Sequence, residues 1–229
     1  MLKKIKNQVI ISVQAAYGEP LYEEAAMNAM IKTVVELGGA KVLRLAGARD
    51  IKNAKKEFAD IPVIGITKPK KIPENYLDLV YITPTLKDCE DIIKAGADVV
   101  AFDATMRERE VSISEMTAFI HSKGKLAMAD IATIEDAKNA QECGVDLVST
   151  TLSGYTTQTH TDSKEPDFAL LKRIAENLNV PVILEGRIWE PEQVKLAFEL
   201  GAYAVVIGSA VTRPQHIVKR FLNYNNGEK

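Results

Sequence analysis

The stretch AGADVVAFD, Ala95–Asp103, carries the pattern on which the fold depends. Gly96 closes a helical pattern at the position where a left-handed C-cap favours glycine, and a buried apolar strand follows at once. The same joint recurs as GGAKVL at Gly38–Leu43, CGVDLV at Cys143–Val148 and LGAYAV at Leu200–Val205. A second kind of joint, in which proline opens the strand, occurs in DIPVIG at Asp60–Gly65 and NVPVIL at Asn179–Leu184. A chain with so many helix-to-strand joints is built from βα units.

Working outward from these joints, eight Val- and Ile-rich runs alternate with eight amphipathic patterns. The runs are Val9–Gln14, Val42–Leu45, Pro62–Thr67, Asp98–Asp103, Lys125–Asp130, Asp146–Thr151, Pro181–Gly186 and Ala204–Gly208. The helical patterns cover roughly Tyr22–Leu37, Ile51–Phe58, Leu86–Lys94, Ser114–His121, Ile134–Glu142, Asp167–Asn177, Pro191–Glu199 and Pro214–Tyr224. The runs are apolar on both faces, as strands covered on both sides should be.

Eight uninterrupted βα units predict one (β/α)8 TIM barrel, a single domain over residues 1–229. The alternative is an open doubly wound sheet, but no GxGxxG follows the first strand. A ninth short run, Leu79–Thr83, is interpreted as part of a long loop after the third strand. We expect Asn223–Lys229 to form a frayed tail.

Composition narrows the class of protein. The hydrophobic fraction is 46%, the charged fraction 26% and the formal net charge −2, which argues against disorder, coiled coil and nucleic-acid binding. Cys89 and Cys143 lack CxxC partners, and the three histidines lack metal-ligand spacing, so no metal site is expected. The sequence contains no signal-peptide pattern and no membrane-length apolar run, so a cytoplasmic protein without membrane contact is expected.

Polar residues follow the predicted strands at the end where barrel enzymes carry their active sites. These residues are Gln14, Arg44, Lys68, Asp103, Asp130, Thr150–Thr151, Glu185–Arg187 and Gly208–Ser209. Ionised groups beside a core are costly unless they are paired or used, so their coincidence on one rim predicts a site. Taken singly, each has a structural alternative: Asp103 or Asp130 as a helix N-cap, Lys68 as a solvated surface residue.

Two glycine-bearing segments predict a phosphate site. EGRI places Gly186 and Arg187 after the seventh strand, and IGSAVTRP places Gly208, Ser209 and Arg213 after the eighth. The loops after these two strands bind phosphate in many TIM barrels, because backbone N–H groups and a helix N-terminus point at the anion. The alternative is a plain turn followed by a helix cap.

Several longer motifs together resemble a known family. They are VQAAYGEPLY (Val13–Tyr22), RDI (Arg49–Ile51), IGITK (Ile64–Lys68), YITPT (Tyr81–Thr85), FDAT (Phe102–Thr105), MADIAT (Met128–Thr133), STTLSGYT (Ser149–Thr156), EGRI (Glu185–Ile188) and TRP (Thr212–Pro214). From about Val9 to Phe221 the chain resembles the N-acylmannosamine-6-phosphate 2-epimerases of bacterial sialic acid catabolism.

The resemblance implies a (β/α)8 barrel of the ribulose-phosphate-binding type. It implies reversible inversion at C2, which interconverts N-acetylmannosamine 6-phosphate and N-acetylglucosamine 6-phosphate. The family's catalytic lysine falls on Lys68 and its catalytic carboxylate on Glu185, while Gln14, Arg44 and Asp130 match positions lining the sugar site. We expect Arg44 or Arg187, together with partial desolvation, to lower the pKa of Lys68.

Proton transfer at C2 of an opened sugar needs no metal or redox cofactor, so none is expected. Two other classes stay open: a lyase or aldolase in which Lys68 forms a Schiff base, and a non-catalytic phosphosugar-binding barrel. The expected partner is a small phosphosugar. The apolar side chains of the last predicted helix, Ile217, Val218, Phe221 and Leu222, could form a homodimer interface.

Overall fold

A computed structural model describes residues 1–225 of the chain. Eight parallel strands close into a barrel in sequence order, so the predicted TIM barrel is confirmed. The strands are β1 Val9–Val13, β2 Leu43–Ala46, β3 Val63–Ile66, β4 Val99–Asp103, β5 Leu126–Asp130, β6 Leu147–Ser149, β7 Val182–Glu185 and β8 Ala204–Ile207. The barrel closes where β1 pairs with β8, with Ile10 opposite Val206.

Helices cover the outside of the barrel. They are α1 Leu2–Ile5, α2 Glu24–Lys32, α3 Ala48–Glu57, α4 Leu86–Lys94, α5 Ile113–Ser122, α6 Ile134–Glu142, α7 Phe168–Asn177, α8 Pro191–Glu199, α9 Ser209–Thr212 and α10 Pro214–Asn225. The helix α2 continues as a π-helical turn over Thr33–Leu37. The four glycines of the repeated joint all have positive φ, between 74° and 109°, as the C-cap prediction requires.

Three details differ from the sequence prediction. The short helices α1 and α9 were not predicted, and α1 turns Ile5 into the barrel interior, where it is fully buried. The expected frayed tail is partly wrong, because α10 remains helical to Asn225. The rest of that predicted tail, residues 226–229, lies outside the described residues.

The run Leu79–Thr83 lies in the loop between β3 and α4, as predicted, and it enters the barrel mouth. Ile82 is 3% exposed and packs with the apolar side chains inside the barrel. Backbone bonds fix it between two strand ends: Thr83 N–H donates to Thr67 O at 3.2 Å, and Asp103 N–H donates to Ile82 O at 3.1 Å. This segment therefore fills the mouth between β3 and β4.

Across residues 1–225, no helix combines the length and apolar character that a membrane crossing requires.

Candidate active site

A cavity of about 380 Å³ opens at the carboxyl ends of the strands. Most of the predicted site residues line it together: Gln14, Lys68, Glu185, Gly186, Arg187, Gly208, Ser209 and Arg213. Ser12, Thr151, Tyr155 and Trp189 complete much of the wall. The sequence placed Thr151 on the rim without a role, and it did not single out Ser12, Tyr155 or Trp189.

Lys68 stands two residues beyond β3 and reaches into the cavity. Its Nζ donates to Gln14 Oε1 at 2.8 Å, and Gln14 Nε2 in turn donates to Ser12 Oγ at 2.8 Å. Loss of hydration at this place, and secondarily the positive charge of Arg44, lower the pKa of Lys68 to about 8. The expected contribution of Arg44 is thus present, and Arg213 adds to it. A lysine with this pKa is partly neutral near pH 7 and can accept a proton.

Arg44 joins two carboxylates inside the barrel. Its Nη2 donates to Asp130 Oδ2 at 2.5 Å, and its Nη1 donates to Glu185 Oε2. The Arg44 and Asp130 side chains are 1% and 0% exposed, whereas that of Glu185 is 15% exposed and belongs to the cavity wall. Arg44 and Asp130, which were expected to line the sugar site, are therefore buried behind the cavity wall, and Arg44 contacts that wall at Glu185.

The protonation of Glu185 is shaped by its burial. Desolvation raises the pKa of Glu185, and the negative charge of Asp130 raises it further, while Arg44 and Lys68 oppose the shift. A carboxyl group with a raised pKa next to a lysine with a lowered pKa is the arrangement that enzymes use for proton transfer.

Two threonines after β6, predicted on the rim but given no role there, hold Glu185. Thr150 Oγ1 accepts from Glu185 N–H at 3.1 Å and donates to Glu185 O at 3.0 Å, so it fixes the main chain. Thr151 Oγ1 lies 3.2 Å from Glu185 Oε2, so it contacts the side chain. The adjacent hydroxyls at a strand end were the available signal.

The predicted phosphate elements line one side of the same cavity. Gly186 has φ of 110°, a backbone conformation that a residue with a Cβ rarely adopts. Gly208 precedes the short helix α9, and Arg213 follows it. Arg213 Nη2 donates to Glu19 Oε1 at 2.5 Å, while Arg187 Nη1 donates to Ser153 O at 2.6 Å. The two cations are thus held by the loops that border the cavity.

Asp103, although it follows a strand like the others, belongs to a separate cluster. It is fully buried, and its carboxylate accepts from Arg107 Nη2 at 2.5 Å and from Thr105 Oγ1 at 2.7 Å. Arg107 also donates to Leu77 O at 2.9 Å, which ties the loop before Ile82 to β4. Asp103 does not line the cavity. Its contacts instead hold the loop before Ile82 against β4.

Comparison with known proteins gives consistent results. The family model "Putative N-acetylmannosamine-6-phosphate epimerase" matches residues 27–226. A protein of Clostridium perfringens named "Putative N-acetylmannosamine-6-phosphate 2-epimerase" is 44% identical over 224 residues, covering 96% of this chain and 98% of that one. A protein of Caldanaerobacter subterraneus subsp. tengcongensis with the same name is also 44% identical, covering 98% of this chain and 93% of its own.

Solved structures agree with this similarity. The N-acetylmannosamine-6-phosphate 2-epimerase from Clostridium perfringens superposes with a TM-score of 0.90 at 42% identity, over 98% of this chain and 96% of that chain. Orotidine 5'-phosphate decarboxylase from Pyrococcus horikoshii superposes with a TM-score of 0.60 at 14% identity, over 94% of this chain and 98% of that chain. At that identity the second likeness concerns the barrel fold alone.

Proposed function

This chain belongs to the N-acetylmannosamine-6-phosphate 2-epimerase family, and we propose that it interconverts N-acetylmannosamine 6-phosphate and N-acetylglucosamine 6-phosphate in sialic acid catabolism. In the reverse direction it acts as an N-acylglucosamine-6-phosphate 2-epimerase. The observation that carries this proposal is the meeting of Lys68, whose pKa is lowered to about 8, and Glu185, whose pKa is raised, in one cavity bordered by the β7 and β8 loops.

The chemistry of the sugar explains why two such groups are needed. The hydrogen on C2 is not acidic in the closed ring, but ring opening creates a C1 aldehyde and places C2–H next to a carbonyl group. Neutral Lys68 then takes the C2 proton, and the electron pair moves toward the aldehyde oxygen to form an enolate. Glu185 carries the ring-opening proton or serves the opposite face of C2, and return of a proton to that face inverts the centre.

The Schiff-base alternative predicts a different intermediate. If Lys68 attacked a carbonyl carbon, borohydride added with the sugar phosphate would reduce the imine and leave a covalent adduct on Lys68. Proton transfer leaves none, and mass spectrometry of the digested protein separates the two. A binding barrel without catalysis would need the phosphate loops, but it would not need Lys68 and Glu185 together.

The reaction itself is tested by proton NMR in heavy water. Because the abstracted proton exchanges with solvent on Lys68, turnover of N-acetylmannosamine 6-phosphate is expected to place deuterium at C2 of the product. Turnover without solvent deuterium leaves either a shielded base that returns the same proton or a route without enolisation. A substrate deuterated at C2 separates these two, because only C2–H cleavage gives a primary isotope effect.

The phosphate site predicts strong discrimination between sugars. We expect unphosphorylated N-acetylmannosamine to have a far lower kcat/KM, since each lost charge-assisted phosphate contact costs about 1.5–3 kcal/mol. Arg213→Met is expected to remove part of this preference, because Arg213 lines the cavity beside Gly208 and Ser209. Equal kcat/KM for the two sugars in the wild type would contradict the phosphate assignment.

The exposed helix α10 supports a homodimer. Within the described part of the chain none of its side chains is buried, and Val218, Phe221 and Leu222 are 55%, 73% and 57% exposed. Apolar side chains clustered on a surface helix favour association, and we propose a second copy of this chain as the partner. Light scattering is expected to give twice the mass of 25.2 kDa, and Phe221→Glu to lower it. A monomer in the wild type contradicts this.

We also propose that the enzyme works in the cytoplasm, because its proposed substrates carry a phosphate charge that keeps sugars from crossing membranes.

A further inference from the structure

The guanidinium of Arg44 donates hydrogen bonds to both Asp130 and Glu185. Each carboxylate accepts from one of its two terminal nitrogens, Nη2 and Nη1 respectively. Lys68 supplies a second positive charge that faces Glu185. The charges of these four groups therefore balance while Lys68 is protonated.

The hydroxyl of Thr151 lies between the two carboxylates and contacts both. Thr151 Oγ1 lies 2.8 Å from Asp130 Oδ1 and 3.2 Å from Glu185 Oε2, and it accepts from Arg44 Nη1 at 3.1 Å. A threonine hydroxyl has a single proton to donate. The shorter contact goes to Asp130 and the longer one to Glu185, so one hydroxyl lies within hydrogen-bond distance of both carboxylates. The other acceptor within reach is Ser149 Oγ at 2.9 Å.

Burial separates the two carboxylates. The Asp130 side chain is 0% exposed, whereas that of Glu185 is 15% exposed and lines the cavity. A proton on Glu185 can therefore pass to a molecule in the cavity, and a proton on Asp130 cannot reach it directly.

From these contacts we propose that Thr151 is a positioning residue for Glu185. Its hydroxyl joins the Glu185 carboxyl to the buried Arg44–Asp130 pair and fixes the orientation in which Glu185 faces the cavity. This inference rests on the proposed role of Glu185 in proton transfer.

The groups that face Glu185 give the sign of the expected pH effect. The charged ones are Arg44 from β2, Lys68 after β3 and Asp130 from β5, and the hydroxyl of Thr151 adds a hydrogen bond that lowers the pKa of Glu185. Without the hydroxyl the pKa of Glu185 rises, because its anion loses a donor.

Three variants test the proposal. Thr151→Val keeps the shape and removes the hydroxyl, Thr151→Ser keeps the hydroxyl, and Ser149→Ala removes a neighbouring hydroxyl that contacts Thr151 but neither carboxylate. We expect Thr151→Val to lower kcat by about ten- to a hundredfold, as for a lost hydrogen bond to a charged group. The inflection of the kcat/KM profile that belongs to Glu185, which is separate from that of Lys68 near pH 8, moves to higher pH. Thr151→Ser and Ser149→Ala stay within about threefold of the wild type, with unmoved inflections.

The controls distinguish a failure of the proposal for Thr151 from a failure of the proposed function. Circular dichroism and thermal melting establish whether each variant folds. If Thr151→Val does not fold, Thr151→Cys, whose thiol is a weak donor, takes its place in the test. Thr151→Val with wild-type kcat, or equal losses in the valine and serine variants with an unmoved inflection, overturns the proposal. A wild type without epimerase activity, or Glu185→Gln with wild-type kcat, overturns the proposed function instead.

Discussion

Lys68→Met is expected to lower kcat/KM by at least about 10²–10⁴-fold, the usual contribution of a general base. The same variant should stop the appearance of deuterium at C2 in heavy water. Lys68 lies beyond β3 and its Nζ bonds Gln14, so its replacement removes the base without opening the core. The measurement is the initial rate of epimerisation together with C2 exchange in the recovered sugar.

Lys70→Met is the matched control for this variant. Lys70 lies two residues further along the same loop, and its Nζ stands 5.3 Å from the centre of the Tyr17 ring. We expect its kcat/KM to stay within about threefold of the wild type, as for most surface substitutions. Normal C2 exchange in Lys68→Met would show that Lys68 does not take the C2 proton and would contradict its assignment as the base.

The lowered pKa of Lys68 adds a pH dependence to the same prediction. The base is active when neutral, so kcat/KM should rise about tenfold per pH unit below the pKa and level off above about 8. At pH 7 about a tenth of the free enzyme is in the active form when the pKa is about 8. A profile without an inflection between pH 7 and 9 would contradict this environment for Lys68.

The barrel could be predicted from the sequence because its signals are local. Glycine C-caps such as Gly96 and Gly201, proline-opened strands and two-sided apolar runs each depend on a few neighbouring residues. These local signals give the number of βα units. Strand pairing in sequence order then follows from short right-handed βα connections. The entry of Ile82 into the barrel could not be predicted, because it depends on contacts with Thr67 and Asp103 from two different strand ends.

The site was only partly predictable for a related reason. A strand end tells which rim a residue joins, but residues on one rim divide between the cavity wall and the interior. Lys68 and Glu185 reach the cavity, while Arg44 and Asp130 are almost fully buried. Thr151 was predicted on the rim, but its contacts could not be predicted, because a hydroxyl carries no charge that would indicate its partners. Its role follows from three distances to other strands.

Arg44→Met is expected to have the largest effect on stability. Arg44 is 1% exposed and pairs with two carboxylates, so its loss leaves Asp130 and Glu185 side by side without the guanidinium that joins them. Removing one partner of a buried ion pair typically costs about 3–5 kcal/mol, and we expect the free energy of unfolding at pH 8 to fall by that amount. Epimerase activity should fall with it, because Glu185 loses the group that orients it.

The pH dependence of that loss identifies its cause. The pKa of Glu185 is already raised by burial, and without Arg44 it lies further above its unfolded value, so the penalty is present at pH 8 and shrinks as pH falls through the raised value. Urea unfolding at pH 8 and pH 5.5 measures it, with Arg173→Met as control. Arg173 is exposed on α7, and its loss should change stability by less than about 0.5 kcal/mol. An equal loss at both pH values would mean that Arg44 stabilises the barrel through the packing of its side chain and not through its charge.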